Sequence, residues 1–232
     1  MASRLFWSAT AAFGALVLAA APACAMQFSL SRLPDGACTA DCPEVIVASG
    51  EIELDSDDRF FRFVKSDVMG RKVTSVVLMT SPGGNLVGSL KLGIVMRQLG
   101  FSIMVGQVRG DAFITGRCYS ACAYALAGGR RRIVPEGSEV GVHKAWTLPP
   151  AGPSRTGEDG APGSVAARIA VEGYSPVLER YLGMMGVSRR LVALADATPS
   201  TSIRVLSRSE LARLRVITPD RPAPRRAGRE RG

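Results

Sequence analysis

The stretch from Val73 to Val108 constrains the fold most. Val73 to Thr80, VTSVVLMT, is a near-continuous apolar run bounded by charge on one side and by Ser-Pro-Gly-Gly on the other. A strand with one wet face alternates polar and apolar residues, so a run without alternation belongs to a strand covered on both faces, as in a parallel sheet. Leu86 to Leu99 follows with apolar residues at 86, 87, 90, 92, 94, 95, 96 and 99, the spacing of a packed helix, and Gly100 closes it. Phe101 to Val108 is the next strand. Strand, glycine turn, helix and strand make a βαβ unit, with parallel strands and a right-handed crossover. The expected class is therefore α/β, with a mostly parallel sheet flanked by helices.

The remaining elements extend this unit in both directions. Gln27 to Cys42 reads as a short strand and a turn containing Pro34, Asp35 and Gly36, and Glu44 to Ile52 as the first core strand. Leu54 to Val68 is helical, with Phe60, Phe61, Val64 and Val68 on one face and Asp55, Asp57 and Asp58 at its start, where negative charge is favourable. Gly110 to Gly116 is a loop or short strand. Ser120 to Ala127 is a small-residue helix stopped by Gly128 and Gly129, and Arg132 to Pro135 and Glu139 to His143 are short strands. Ser164 to Met184 and Ser188 to Ala195 are predicted helices N-capped by Ser164 and Ser188. Ile203 to Leu206 is a short strand, Ser207 to Leu214 a helix with Ser207 and Glu210 in capping-box spacing, and Val216-Ile217 a terminal edge element.

Residues 1–25 read as a signal peptide: Arg4, an apolar region from Leu5, and small residues at Ala23 and Ala25 that suit a signal peptidase. No later run is apolar and long enough to span a bilayer stably. The expected organisation is a single α/β domain over 26–218, with a mobile proline- and glycine-rich insertion at about 147–163 and a disordered basic tail over 219–232. The formal charge of +9 does not indicate nucleic acid as a partner. Arg221, Arg225, Arg226, Arg229 and Arg231 fall in the tail, and no aromatic interleaving or nucleic-acid module accompanies them. Without the leader four cysteines remain, Cys38, Cys42, Cys118 and Cys122, as two CxxxC pairs. In an oxidising compartment these are candidate disulfide cysteines with three pairings open. A bridge within 118–122 would be strained if that segment were helical, which makes Cys38 to Cys42 the easier local bridge. Neither pair has the neighbouring histidines of a zinc site, so no metal and no cofactor is expected.

Two segments can carry chemistry. Ser81 to Asn85, SPGGN, lies between a predicted parallel strand and a helix, where open α/β sheets place ligands. Its glycines permit close approach and can present main-chain N–H groups to a developing oxyanion, although such a segment is more often only a turn. Gly116 to His143 begins GRCYSACAYALAGG, with Ser120 at a second predicted βα junction, and ends on the one histidine of the chain. An imidazole is the base a serine nucleophile needs. Isolated serines and histidines are usually structural, and the pairing gains weight because both junctions face one sheet edge.

In that order, SPGGN with its helix, CYSACAYALAGG, and RRIVPEGSEVGVH resemble the Clp-type serine peptidases of the crotonase-like superfamily, and more narrowly a secreted, periplasmic Clp-related family. The likeness runs from about Val45 to Ile217. It implies a Clp/crotonase-like repeated βαβ core, a serine peptidase or hydrolase acting on a peptide or protein substrate, periplasmic location, and a homo-oligomer. By that resemblance Ser120 is the nucleophile, His143 the general base, and Gly84 and Ala121, with Gly83 beside them, the oxyanion hole. Asp196 is the triad acid, with Glu172 as a weaker substitute. Two features depart from the pattern: Cys118 and Cys122 flank the serine, and Thr198-Pro199 lengthens the connection after Asp196. These leave a second reading, a noncatalytic peptide-binding or scaffold protein on the same fold. Ser-Lys chemistry through Lys144 is disfavoured, because a strand would point Lys144 away from His143.

Overall fold

In the computed structural model, which describes residues 25–32, 42–110, 112–145 and 164–219, helices alternate with the strands of a mixed sheet. The candidate signal peptide up to residue 24, the insertion at 147–163 and the tail from 220 lie outside the described residues. β1 (Gln27–Arg32) is antiparallel to β2 (Glu44–Ser49), and β2, β3 (Val73–Thr80) and β4 (Ser102–Arg109) are successive parallel neighbours. α1 (Ser56–Phe63), continued by a π-helical turn at Val64–Val68, connects β2 to β3, and α2 (Leu86–Gln98) connects β3 to β4. β5 (Ala112–Thr115) folds back antiparallel on β4.

β6 (Arg117–Tyr119) then leaves this sheet, joined to the end of β3 by a bridge between Ser81 and Cys118. α3 (Ala121–Ala127) returns the chain to β7 (Arg132–Ile133), which is parallel to β4. β8 (Glu139–Val142) is parallel to β6, and β9 (Arg204–Val205) is antiparallel to β8, making a second, three-stranded sheet. Between them lie α4 (Val165–Glu172), α5 (Tyr174–Met185) and α6 (Arg190–Asp196), and α7 (Arg208–Arg213) follows.

The unalternating run of β3 is buried as its sequence requires: Val77, Leu78 and Met79 have no exposed surface. Burying each such side chain contributes about 1.5–3 kcal/mol. α2 packs between α1 and α3, and α3 packs in turn on α5. At the outer edge Phe60 meets Phe28 and Phe101 edge-on, at centroid distances of 5.1 and 5.6 Å, and so ties β1 and α1 to the core.

Several expectations shift. Phe61 is half exposed while Phe63 packs on the core, because the helical face runs through 60, 63 and 64. Asp55 is the N-cap of α1 without a capping bond from its side chain. The single helix expected over 164–184 is two, broken where Gly173 adopts φ 79°. Ser164 caps α4 as predicted, and Ser207 with Glu210 forms the predicted capping box. Arg189, not Ser188, is the N-cap of α6. Val216 is buried and pairs in no strand, its N–H bonding Leu211 O. No helix among the described residues is long and apolar enough to cross a membrane.

Candidate active site

β6 ends and α3 begins at Ser120, where the backbone takes φ 55°, ψ −124°. A positive φ is uncommon for a residue with a Cβ, costs of order 1–3 kcal/mol, and persists only where the surroundings over-determine it. Here they do. Ser120 N–H donates to Gly141 O at 2.9 Å, Tyr119 N–H to Ser81 O at 3.1 Å, and Ala123 N–H to Ser120 O at 3.1 Å. A disulfide between Cys118 and Cys122, with Cα atoms 5.1 Å apart, closes the chain around the serine. The bridge spans a strand-to-helix turn, not a turn of helix, which removes the objection to it. Both cysteines are fully buried. Cys42 is also disulfide-bonded, and Cys38 lies outside the described residues.

A serine at an N-cap normally accepts a hydrogen bond from the first turn of its helix. Ser120 occupies that position and makes no capping bond. Its half-buried side chain instead borders a cavity of about 630 Å³, which Gly84, Ala121, Tyr124, His143 and Tyr174 also line. The sharp turn that lifts a serine out of a strand-to-helix junction is the physical content of a nucleophile elbow.

The SPGGN segment lies against this turn. Gly83 and Gly84 have φ 114° and 124°, values that disfavour any side chain. A Cβ on Gly83 would sit 2.7 Å from Ser120 Cβ, and one on Gly84 would sit 2.2 Å from Ile52 O. Ile52 N–H donates to Gly83 O and Asn85 N–H to Ile52 O, each at 2.7 Å, which fixes Gly84 between them. Among the described residues the N–H groups of Gly84 and Ala121 have no acceptor, whereas Gly83 N–H donates to Ser81 Oγ at 3.1 Å. Gly83 is thus engaged within its own turn, and its contribution is the absence of a side chain against Ser120.

His143 follows β8 directly and lines the cavity, while Lys144 is exposed and does not. The Nδ1 atom of His143 is buried without a hydrogen-bond partner among the described residues. Asp196, at the end of α6, does not supply that partner: Oδ1 accepts from Tyr174 Oη at 3.1 Å and Oδ2 from Ser175 Oγ at 3.0 Å. No hydrogen bond among the described residues joins Ser120, His143 and Asp196. Burial, reinforced by the Asp196 carboxylate, holds the Tyr174 phenol above its usual range, and burial does the same to Tyr124. Glu172 is paired with Arg180 at 2.6 Å, a bond that lowers its pKa, and it does not line the cavity. Among the described residues no group of three His, Cys, Asp or Glu side chains could hold a metal ion.

The sequence reading missed Tyr174 and Tyr124. Each lies in a helical run whose apolar pattern accounts for a tyrosine as core, and only the fold brings both to the serine. No protein-family model matches the chain, and no curated protein matches it in sequence.

Proposed function

We propose that this chain is a serine peptidase or related acyl hydrolase of the Clp/crotonase-like type, acting on a peptide or protein. The observation that carries the reading is Ser120: a strained, uncapped serine at a strand-to-helix turn, sharing one cavity with the one histidine of the chain. In this reading Ser120 Oγ attacks the scissile carbonyl carbon as its proton passes to His143. Because Nδ1 is the buried nitrogen, Nε2 is assigned that exchange. Charge developing on the carbonyl oxygen is taken by the N–H groups of Gly84 and Ala121. Collapse of the tetrahedral adduct breaks the C–N bond, the departing amine takes the proton from His143, and water then hydrolyses the acyl-serine ester by the same steps. The buried Cys118–Cys122 bridge supports an oxidising compartment such as the periplasm. A homo-oligomer belongs to the same proposal on resemblance alone.

A second reading has an observation of its own. With Asp196 bonded to Tyr174 and Ser175, and His143 Nδ1 without a partner, no third member of a triad is found among the described residues, as expected of a noncatalytic peptide-binding relative of the fold. Incubation with uncharged peptidyl phosphonates separates the two. Covalent labelling that disappears in Ser120→Ala and His143→Ala supports the hydrolase; no adduct on several oxidised, folded samples overturns it.

A further inference from the structure

We infer that Glu51 is a specificity-determining residue that selects peptides carrying a lysine or arginine beside the scissile bond, an inference that rests on the proposed Ser120 site. On a chain of formal charge +9, no lysine or arginine among the described residues lines the cavity, and the acidic residues among them that do are Glu51 and Glu53. Glu53 is already ion-paired with Arg59. Glu51 is half-buried and has no side-chain partner among the described residues. Its backbone is fixed, since Glu51 O accepts from Met26 N–H at 2.7 Å and the next residue bonds Gly83 O. Its side chain lies against Gly84, where an added Cβ would come within 2.7 Å of Glu51 Cγ. The Glu51 side chain therefore starts out against the glycine whose N–H is proposed to receive the oxyanion, within reach of a substrate side chain near the scissile carbonyl.

A carboxylate without a protein partner is open to a substrate ammonium or guanidinium through a charge-assisted hydrogen bond. A neutral side chain forms no such bond, and an anionic one adds repulsion, so the same group both attracts and rejects. Ile52, Leu54, Leu86 and Val87 supply apolar wall for the methylene stem of lysine or arginine.

The test separates this inference from the chemistry it rests on. Fluorescent peptides identical except for lysine, norleucine or glutamate at one position are bound to the full-length Ser120→Ala protein, and anisotropy reads affinity without turnover. The lysine peptide is expected to bind about tenfold more tightly than the norleucine peptide, the size of one charge-assisted hydrogen bond. Adding Glu51→Gln should abolish the difference, adding Glu51→Lys should shift the preference to the glutamate peptide, and high salt should compress it. Equal affinities in the Ser120→Ala protein, or a lysine preference that survives Glu51→Gln, overturn the assignment of Glu51. Phosphonate labelling of the wild-type chain reads the proposed chemistry separately: absent labelling with an intact lysine preference sinks the hydrolase and leaves a Glu51-dependent site for basic peptides.

Discussion

Tyr174 donates its hydroxyl to Asp196 at 3.1 Å, and Tyr174 is the member of that pair that lines the cavity beside Ser120. Asp196 is thus connected to the cavity through Tyr174, and among the described residues no hydrogen bond joins it to His143. Asp196→Asn and Tyr174→Phe are each expected to lower the rate of Ser120 labelling about tenfold, and the double variant no further, because both remove one connected unit. Labelling rates for the two single variants and the double variant check this. A loss near 10,000-fold in Asp196→Asn alone would show instead that the carboxylate orients the imidazole directly.

Gly83 and Ser120 are packed so closely that no side chain can be added at Gly83 without displacing the serine. Gly83→Ala places a methyl group 2.7 Å from Ser120 Cβ and 2.8 Å from Tyr119 O, at a φ that disfavours alanine. It is expected to cost on the order of 2–4 kcal/mol in urea unfolding. Labelling of the remaining folded protein should fall as well, since the contact that must yield is the proposed nucleophile. Gly70→Ala, also at positive φ but with nothing near the added methyl, is the control: it should lose less stability and keep its labelling rate.

The Cys118–Cys122 bridge closes a loop of sequence separation 4, so its effect on the unfolded chain is small, about 2 kcal/mol by loop entropy. Its local effect is larger in consequence, because Ser120 is the middle residue of that loop. Cys118→Ala with Cys122→Ala should leave a folded protein, by circular dichroism, whose Ser120 labels at least about tenfold more slowly. With both sulfurs buried, wild-type protein should resist reductant until denaturant is added.

What the sequence made legible follows from which interactions are local. Val73–Thr80, the SPGGN turn, α2 and the Ser207–Glu210 capping box were readable because burial on both faces, glycine conformation and capping each leave a signature within a few residues. The break at Gly173 was not, since the apolar spacing continues across it and only the left-handed φ reveals two helices. The meeting of SPGGN with Ser120 was foreseen from two junctions at one sheet edge. The partnership of Tyr174 with Asp196 was hidden, because it depends on where α5 and α6 dock and both residues sit in patterns that packing alone accounts for. Glu51 carries no motif at all and becomes visible only through what it lacks.

Asp57, in the first turn of α1, is buried and ion-paired at 3.2 Å with the Lys91 ammonium on α2. Burial outweighs that attraction and raises the carboxyl pKa above its ordinary value. The folded state then holds this proton more tightly than the unfolded state does. The contribution of Asp57 to stability is greatest below its unfolded pKa and declines as pH rises through the folded value. Asp57→Asn should therefore match or exceed wild type in urea unfolding at pH 7, with the advantage narrowing toward pH 3. An Asn variant that is clearly less stable at pH 7 would show that the Lys91 pair dominates.

Arg132 on β7 is a buried cation whose bonded partners are four main-chain carbonyls: Val216 and Arg215 at 3.1 Å, Gly129 at 3.2 Å and Met185 at 3.3 Å. Burial, with Arg97 nearby, lowers its pKa to about 10, which leaves it charged at neutral pH. One guanidinium thereby joins the exits of α3, α5 and α7, and its planar array of donors is what allows four acceptors at once. Arg132→Met leaves those carbonyls without this donor and is expected to cost at least about 3 kcal/mol. Arg132→Lys should recover only part, since an ammonium carries three donors and no planar fork. Urea midpoints give the ranking, and because Arg132 does not line the cavity, Ser120 labelling per folded molecule should stay at the wild-type rate in both variants.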